Sequence, residues 1–198
     1  MEITGLVLAA GAGTRAGGPK ALRDGWIEHA CETLLAGGCG NVIVVLGAAT
    51  EAPVPADSRV SSVVAPDWEH GMSRSIVAGL KAVMARAVPG SVPGSQPGYV
   101  STSRPGENDG VLISLVDLPT LPSPVVARVL EGRGALRQAV FEGRPGHPVY
   151  IGAAHWQAIA ESVSGDSGAR AYLVAHGVTE IECGDLWDGL DLDGPAST

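Results

Sequence analysis

Two cations, Arg15 and Lys20, lie in a glycine-rich segment, LAAGAGTRAGGPKAL, which spans residues 8–22. The backbone N–H groups of such a loop can surround a polyphosphate, while arginine and lysine bring positive charge to its oxygens. The segment follows the apolar run that begins at Ile3, which is typical of a strand that ends where a ligand binds. The pattern therefore predicts an anion-binding loop held at the end of a strand.

The glycine spacing has a second interpretation, because Gly11, Gly13 and Ala16 also fit the G-x-G-x-x-G/A pattern of dinucleotide-binding folds. Those folds continue from the third small residue directly into a helix. Here Gly-Gly-Pro at 17–19 delays the next helix to about Trp26. The Walker pattern is missing too, because no Gly-Lys-Ser/Thr follows. The loop length favours a triphosphate, and a nicotinamide-binding dehydrogenase is kept as the less favoured alternative.

A carboxylate, Asp117, directly follows the apolar run 111–116. This order predicts a position at the carboxyl end of an interior strand, where open α/β sheets bind ligands. An oxygen ligand there suits Mg²⁺, which takes one or two carboxylates together with substrate phosphates. The structural alternative is an aspartate that only caps a helix or turn before Leu118-Pro119.

The elements that must position these residues alternate along the chain. Apolar runs bounded by Gly, Pro or Asp predict strands within ITGLVLAAG, NVIVVLG, RVSSVVAPD and GVLISLVDLP. Apolar residues at helical spacing predict helices over about 27–35, 76–84 and 125–130. The alternation favours an α/β fold, a three-layer, doubly wound, mostly parallel sheet.

The last third of the chain differs in character. AVFEGRPGHPVYI predicts a small β-hairpin excursion, followed by two helical segments and a final strand in TEIECGDL. Residues 88–109 are rich in Pro, Gly and Ser and offer little to bury, which predicts an insertion rather than a domain boundary. We expect one domain over residues 1–198, with that insertion in it.

Charge and cysteine content exclude several classes of protein. The net charge of −8 disfavours duplex nucleic acid as a partner, because a phosphate backbone requires a basic face. Cys31, Cys39 and Cys183 lack metal or redox spacing and are expected to be reduced and buried. The sequence shows neither an export signal nor a membrane span, so a cytoplasmic location is expected.

Five segments together resemble a known family. LAAGAGTRAGGPKAL is similar to the L-A-A-G-x-S/G-x-R-x-G-x-x-K signature of the nucleotidyltransferases that include molybdenum cofactor cytidylyltransferase and its guanylyltransferase relative. PDWEHGMSRSIVAGL, SLVDLPTL, GHPVYI and GDSGARAYL follow in the family's order. The resemblance implies a Rossmann-like fold, Mg²⁺, and transfer of a nucleoside monophosphate from an NTP to a phosphorylated pterin cofactor, with release of pyrophosphate. A molybdoenzyme recipient or chaperone is a possible protein partner.

The resemblance also implies roles for residues of the glycine-rich loop. Arg15 and Lys20 would contact the NTP phosphates, where attack at the α-phosphorus builds charge on the leaving pyrophosphate. Ala10 stands where guanylyltransferase relatives usually have glycine, which indicates CTP rather than GTP. The implied nucleotide-binding residues of this loop are Leu8, Ala9, Ala10, Gly11 and Gly13.

Metal and acceptor roles follow from the same resemblance. Asp117 would hold Mg²⁺, and a second carboxylate would come from Asp193 or Asp191 in DLDGP, which departs from the family's D-x-D-T-P-E-D ending. His147 in RPGHPVYI would line the acceptor side, although a histidine in a hairpin can equally satisfy backbone groups. Ser75, near a predicted helix start together with Ser73, would offer donors to an anion or act as a cap.

Some positions depart from the family pattern and leave alternatives open. Ala65 stands where the family commonly has asparagine. Pro145 stands where the family has arginine. The neighbouring Arg144 cannot simply take over that role, because adjacent residues of a strand face opposite ways. Asp166 and Arg170 are four residues apart, so an internal ion pair rivals contact with the acceptor. A related guanylyl- or sugar-phosphate nucleotidyltransferase and a non-catalytic cofactor chaperone therefore stay open beside the cytidylyltransferase.

Overall fold

One seven-stranded sheet organises the protein in the computed structural model, which describes residues 2–86, 109–165 and 168–191. The strands are β1 (Ile3–Ala9), β2 (Asn41–Leu46), β3 (Val60–Val64), β4 (Gly110–Leu115), β5 (Leu136–Phe141), β6 (Arg144–Gly152) and β7 (Thr179–Glu182). The helices of the described ranges are α1 (Trp26–Ala36), α2 (Met72–Arg86), α3 (Ser123–Glu131), α4 (Trp156–Ser162) and α5 (Arg170–Ala175).

The strand order is β3-β2-β1-β4-β6-β5-β7. β1 pairs in parallel with both β2 and β4, and β5 with β7, whereas β6 runs antiparallel to its two neighbours. The chain winds outward from β1 to β3 and then returns to β4 on the other side of β1. The predicted doubly wound, mostly parallel sheet is therefore confirmed, and its crossover point lies between β1 and β4.

Two hydrophobic cores cover the two faces of this sheet. On β1, Val7 and Ala9 pack into the core that contains the apolar sides of α1 and α3. Leu6 and Leu8 point the other way, into the core formed with α2, α4 and α5. Successive strand residues face opposite sides, so a strand buried on both faces is apolar throughout, as β1 is. The predicted three layers are confirmed.

The hairpin predicted in the last third forms at the predicted place. Glu142 and Gly143 connect β5 to β6 with φ values of 53° and 74°, as a two-residue type I′ turn requires. Its strands belong to the main sheet rather than to a small excursion, because β6 pairs with β4 through contacts such as Ile113 opposite Val149. Val149 and Ile151 are buried, so a place for β6 inside the sheet removes their apolar side chains from water.

The predicted state of the cysteines is confirmed. Cys31, Cys39 and Cys183 are all buried and unbridged. Burial raises the pKa of the Cys31 and Cys39 thiols to about 12, with nearby Glu32 and Asp57 adding to the effect at Cys31. These thiols therefore act as small apolar groups of the core.

Three predictions fall outside the described ranges: most of the 88–109 insertion, the Asp166 side of the Asp166–Arg170 pair, and Asp193 as a metal ligand. Within the described ranges, no helix is both long and apolar enough to cross a membrane.

Candidate active site

A cleft of about 570 Å³ opens at the carboxyl ends of β1 and β4, the crossover point of the sheet. One wall is the glycine-rich loop 8–16 with Lys20, the opposite wall comes from residues between Trp68 and Ser75, and residues 115–117 complete the lining. The strand ends are tied together, because Val116 N–H donates to the Leu8 carbonyl at 3.2 Å. Ligand sites of open α/β sheets occur at this position.

The glycine-rich loop depends on Gly13. Its φ is +60°, and its carbonyl accepts the N–H groups of Ala16 at 2.9 Å and Gly18 at 3.0 Å. A Cβ on Gly13 would lie 1.8 Å from the Gly18 carbonyl oxygen, so no other residue fits the turn. At Gly11 a Cβ would meet no atom within 4 Å, and the residue lines the cleft. The loop thus presents open backbone to a ligand.

The three cations of the opening segment have different positions. Arg15 is exposed on the 3₁₀ turn Thr14–Ala16 and lines the cleft, as does Lys20 from the next turn. Arg23 instead donates to the Ala16 carbonyl at 2.9 Å and lies over the Trp26 ring. Arg23 therefore braces the loop, while Arg15 and Lys20 supply positive charge to the cleft.

Lys20 and Asp117 form an ion pair across 97 positions of sequence, with Nζ donating to Oδ2 at 2.8 Å. The two side chains are only 15% and 18% exposed. The second carboxylate oxygen of Asp117, Oδ1, is buried and has no hydrogen-bond partner among the described residues. The structure therefore joins two of the predicted catalytic residues and leaves one hard oxygen acceptor unsatisfied.

This unsatisfied oxygen fits a divalent cation. Mg²⁺ in nucleotide sites is held by one or two carboxylates and by substrate phosphates, so a single protein oxygen beside the phosphate loop is a suitable donor. No cluster of three or more His, Cys, Asp or Glu side chains suited to a metal occurs in the described ranges. The remaining ligands would come from the nucleotide and water. Asp191 is exposed and lines neither the cleft nor the second cavity described below.

The wall opposite the loop is built by the start of α2. Ser75 lines the cleft, as predicted, and is buried. The Ser73 hydroxyl oxygen is buried without a hydrogen-bond partner in the described part of the chain, so the capping alternative does not hold for Ser73. Ala65, where the resembling family commonly has asparagine, is fully buried in the core on the α2 side.

His147 lies in a second, smaller cavity of about 200 Å³ rather than in the main cleft. Met72 lines both cavities, so they are neighbours. Burial lowers the pKa of His147 to about 4, against an opposing effect of the Asp117 carboxylate. The imidazole is therefore neutral at physiological pH. Arg170 also lines this second cavity.

Arg144 does not replace the missing arginine of the motif. Its Nε donates to the Phe141 carbonyl and its guanidinium lies 4.0 Å from Glu142, so the side chain serves the hairpin turn. Pro145, at the position of that arginine, lines the second cavity. Arg144 and Pro145 are neighbours on β6, so their side chains face opposite sides of the strand. This agrees with the expectation that Arg144 cannot replace the missing arginine.

Among the cavity residues that sequence reasoning missed are Trp68, Glu69 and Gln138. Trp68 and Glu69 line the main cleft, whereas the predictions for this part of the chain concern Ser73 and Ser75, which follow them. Gln138 lines the second cavity, and its Nε2 donates to the Gly146 carbonyl at 3.1 Å. No sequence signal marks Gln138, because a glutamine on a strand is ordinarily a solvent-facing residue.

Comparison with known sequences agrees with this geometry. Residues 5–180 match the model of the MobA-like NTP transferase domain. A nicotine blue oxidoreductase of Paenarthrobacter nicotinovorans is 36% identical over 210 residues, which cover 96% of this chain and 92% of that protein.

Solved structures show the same fold. Rv0371c of Mycobacterium tuberculosis H37Rv has a TM-score of 0.70 at 23% identity, covering 98% of this chain and 94% of its own. The same protein in complex with manganese gives a TM-score of 0.63 at 21% identity, with 92% and 88% covered. A nucleotidyl transferase from Methanothermobacter thermautotroptrophicus gives 0.67 at 18% identity, with 98% and 92% covered. With the family model matching nearly the whole chain, this protein belongs to the MobA-like NTP transferase family and is a nucleotidyltransferase.

Proposed function

We propose that the protein transfers CMP from CTP to the terminal phosphate of a molybdopterin-type cofactor and releases pyrophosphate. The observation that supports this most directly is the meeting of Lys20, Asp117 and the glycine-rich loop in one cleft at the sheet crossover. The second cavity beside the cleft provides room for an acceptor. The pterin acceptor itself is proposed from the family resemblance.

In the proposed reaction, an oxygen of the acceptor phosphate attacks the α-phosphorus of CTP. A new bond forms between that oxygen and the phosphorus, the bond from the α-phosphorus to the α,β-bridging oxygen breaks, and its electron pair leaves with pyrophosphate. Lys20 and Arg15 would offset the charge that develops on the leaving group. Backbone N–H groups near Gly11 and Gly13 would hold the phosphates in position.

The proposed cofactor is Mg²⁺, with Asp117 Oδ1 as its protein ligand. When bound, the cation would neutralise phosphate charge and stabilise the transition state. Because Lys20 bonds Oδ2, Oδ1 is available to the cation, and the nucleotide phosphates would compete with Oδ2 for Lys20. Asp193 stays a predicted second ligand.

The second cavity is the proposed acceptor site. Gln138, His147 and Arg170 are its polar lining, and the rest of its wall is largely apolar. The imidazole of His147, neutral at physiological pH, can donate or accept one hydrogen bond without competing for the phosphates. A mixed apolar and polar cavity suits a heterocyclic ring system. A recipient molybdoenzyme or chaperone would take the product.

The experiment that tests this function measures pyrophosphate release with each of the four NTPs, in Mg²⁺ and molybdopterin. We expect CTP to be preferred about 10- to 200-fold in kcat/KM over GTP, because the Ala10 methyl group crowds a purine. Asp117→Asn should abolish most turnover while the protein stays folded. A preference for GTP would support a guanylyltransferase, and CTP binding without pyrophosphate release would support a chaperone.

A redox activity is the second candidate, because the Paenarthrobacter relative is named as a nicotine blue oxidoreductase. The corresponding proposal is that the main cleft binds a nicotinamide dinucleotide and that the protein reduces nicotine blue. Oxidation of NADH or NADPH at 340 nm, with and without nicotine blue, tests it. Dye-dependent oxidation together with an absence of pyrophosphate release from any NTP would replace the transferase proposal.

A further inference from the structure

We infer that the turn Trp68–His70 recognises the nucleobase: the Trp68 ring stacks on the base, and the Glu69 carboxylate accepts a hydrogen bond from its exocyclic amino group. This inference rests on the proposed function, because it requires an NTP in the main cleft. It goes further in naming the residues that distinguish cytosine from uracil.

The placement of Trp68 beside Ala10 is the first step. Trp68 is partly buried, lines the cleft and packs against the core on the α2 side. Gly47, just after β2, brings Trp68 and Ala10 together: a Cβ there would lie 2.7 Å from Trp68 Cγ and 2.6 Å from the Ala10 carbonyl oxygen. The indole therefore adjoins Ala10, the residue at which the family resemblance indicates CTP rather than GTP.

The turn that carries Trp68 is fixed by the backbone. Trp68 N–H donates to the Ala65 carbonyl at 3.3 Å, and the Trp68 carbonyl accepts the Gly71 N–H at 3.1 Å. His70 N–H donates to the Asp67 carbonyl at 3.0 Å. A fixed aromatic ring is a suitable platform for a base, since it loses little freedom when the ligand binds.

Ring size alone does not select cytosine over uracil. The Ala10 methyl group can crowd a purine, but both pyrimidines have one ring and stack equally well on an aromatic side chain. They differ at position 4, where cytosine has an amino group and uracil a carbonyl. A group that accepts hydrogen bonds and does not donate them is needed to separate the two.

Glu69 supplies such a group. It is exposed and lines the cleft from the wall opposite the loop that carries Arg15 and Lys20. An ionised carboxylate only accepts hydrogen bonds, so it favours the amino group of cytosine and repels the uracil carbonyl. The opposite charges of the two walls also orient the nucleotide, with its phosphates on the loop and its base on the turn.

The test is a titration of tryptophan fluorescence in the presence of Mg²⁺, with CTP, UTP and base-free tripolyphosphate as probes. We expect CTP to quench the wild-type emission and tripolyphosphate to leave it nearly unchanged. Trp68→Phe should lose the quenching yet keep its CTP affinity within about threefold, because phenylalanine still stacks. Trp68→Ala should bind CTP about 10- to 100-fold more weakly, with no change for tripolyphosphate. Calorimetry supplies affinities for the variants that no longer report by fluorescence.

Glu69→Gln tests the second part. A glutamine amide offers both a donor and an acceptor, so we expect the preference for CTP over UTP to fall about tenfold. Glu131→Gln, at an exposed glutamate that ends α3, is the matched control and should keep the wild-type preference. Tight CTP binding that is unaffected by Trp68→Ala and Glu69→Gln would overturn this inference alone. Absence of NTP binding in the wild type would overturn the proposed function with it.

Discussion

The Lys20–Asp117 ion pair is the residue-scale feature on which the proposed chemistry depends. Both side chains are mostly buried, and each is matched to a ligand of opposite charge: phosphate for Lys20 and a divalent cation for Asp117. In the structure the two charges neutralise each other.

Lys20→Ala should weaken NTP binding about 10- to 100-fold, because a hydrogen bond to a charged group is worth about 1.5–3 kcal/mol. Calorimetric titration with CTP in Mg²⁺ measures the change. The matched control is Lys81→Ala, which removes the other lysine of the chain, an exposed side chain on α2 that lines neither cavity. Equal CTP affinities in the two variants would show that Lys20 does not contact the phosphates.

His147 leads to a prediction about pH. Burial lowers its folded-state pKa to about 4, below the ordinary value of 6.5, so the unfolded chain binds the proton more readily. The stability that this site contributes is complete above pH 6.5 and is lost as the pH falls from 6.5 to about 4. We expect the fall in Tm between pH 7 and pH 5 to be a few degrees smaller in His147→Gln than in the wild type. An identical fall in both proteins would contradict the lowered pKa of His147.

At the residue scale, the sequence identified residues of the cleft better than it predicted the contacts between them. Arg15, Lys20 and Asp117 follow from local patterns, a glycine-rich loop and a strand end, and the structure places all three at one cleft. The pairing of Lys20 with Asp117 did not follow, because no local rule links residues that are 97 positions apart. Trp68 was missed for a related reason: its position beside Ala10 depends on Gly47, which lies just after β2 and is distant in sequence.

At the scale of elements, the crossover between β1 and β4 decides where the cleft forms, and the loop after β1 decides what it can bind. The loop is a tight backbone structure held by the Gly13 carbonyl, which accepts two N–H groups. Its shape therefore rests on backbone geometry at Gly13, and the charged side chains depend on that geometry for their positions.

Gly13→Ala should lower CTP affinity at least tenfold and leave the sheet intact, because the new Cβ would lie 1.8 Å from the Gly18 carbonyl oxygen. Gly17→Ala is the matched control: Gly17 also has a positive φ, +79°, but a Cβ there meets no atom within 4 Å. Gly17→Ala should therefore lower the stability of the fold by only about 1 kcal/mol, through backbone strain. Calorimetry and far-UV circular dichroism separate binding from folding. Equal losses of affinity in both variants would attribute the effect to positive φ alone.

Elements with a strong local signal were predicted from the sequence, while their partners in the sheet were not. α1 begins at Trp26, where the Gly-Gly-Pro break predicts it, and the β5–β6 hairpin forms around its Glu-Gly turn. Pairing of β6 with β4 depends on contacts between distant segments, which hydrophobic periodicity does not encode. The hairpin was therefore recognised, but not its place inside the main sheet.

On the scale of the whole molecule, the net charge of −8 opposes the approach of a triphosphate. Local charge at Arg15 and Lys20 must overcome this repulsion, and a divalent cation that lowers the charge of the nucleotide assists. If the proposed roles of Lys20 and Asp117 hold, the ion pair also links the metal to the nucleotide. A nucleotide that takes Lys20 alone leaves Asp117 unpaired beside phosphates, and a metal that takes Asp117 alone leaves Lys20 beside a cation.

Metal and nucleotide should therefore bind with positive coupling of about 1–3 kcal/mol, the usual range for linked sites. We expect CTP and Mg²⁺ added together to raise Tm by about 2–12 °C more than the sum of their separate effects, since 1 kcal/mol corresponds to about 2–4 °C in a domain of this size. Lys20→Met should remove part of this excess, because the metal then binds Asp117 without a neighbouring cation for the nucleotide to neutralise, and Lys81→Met should retain it. Thermal unfolding at fixed ionic strength measures all four combinations of ligands. Strictly additive shifts in the wild type would show that the pair does not link the two ligands.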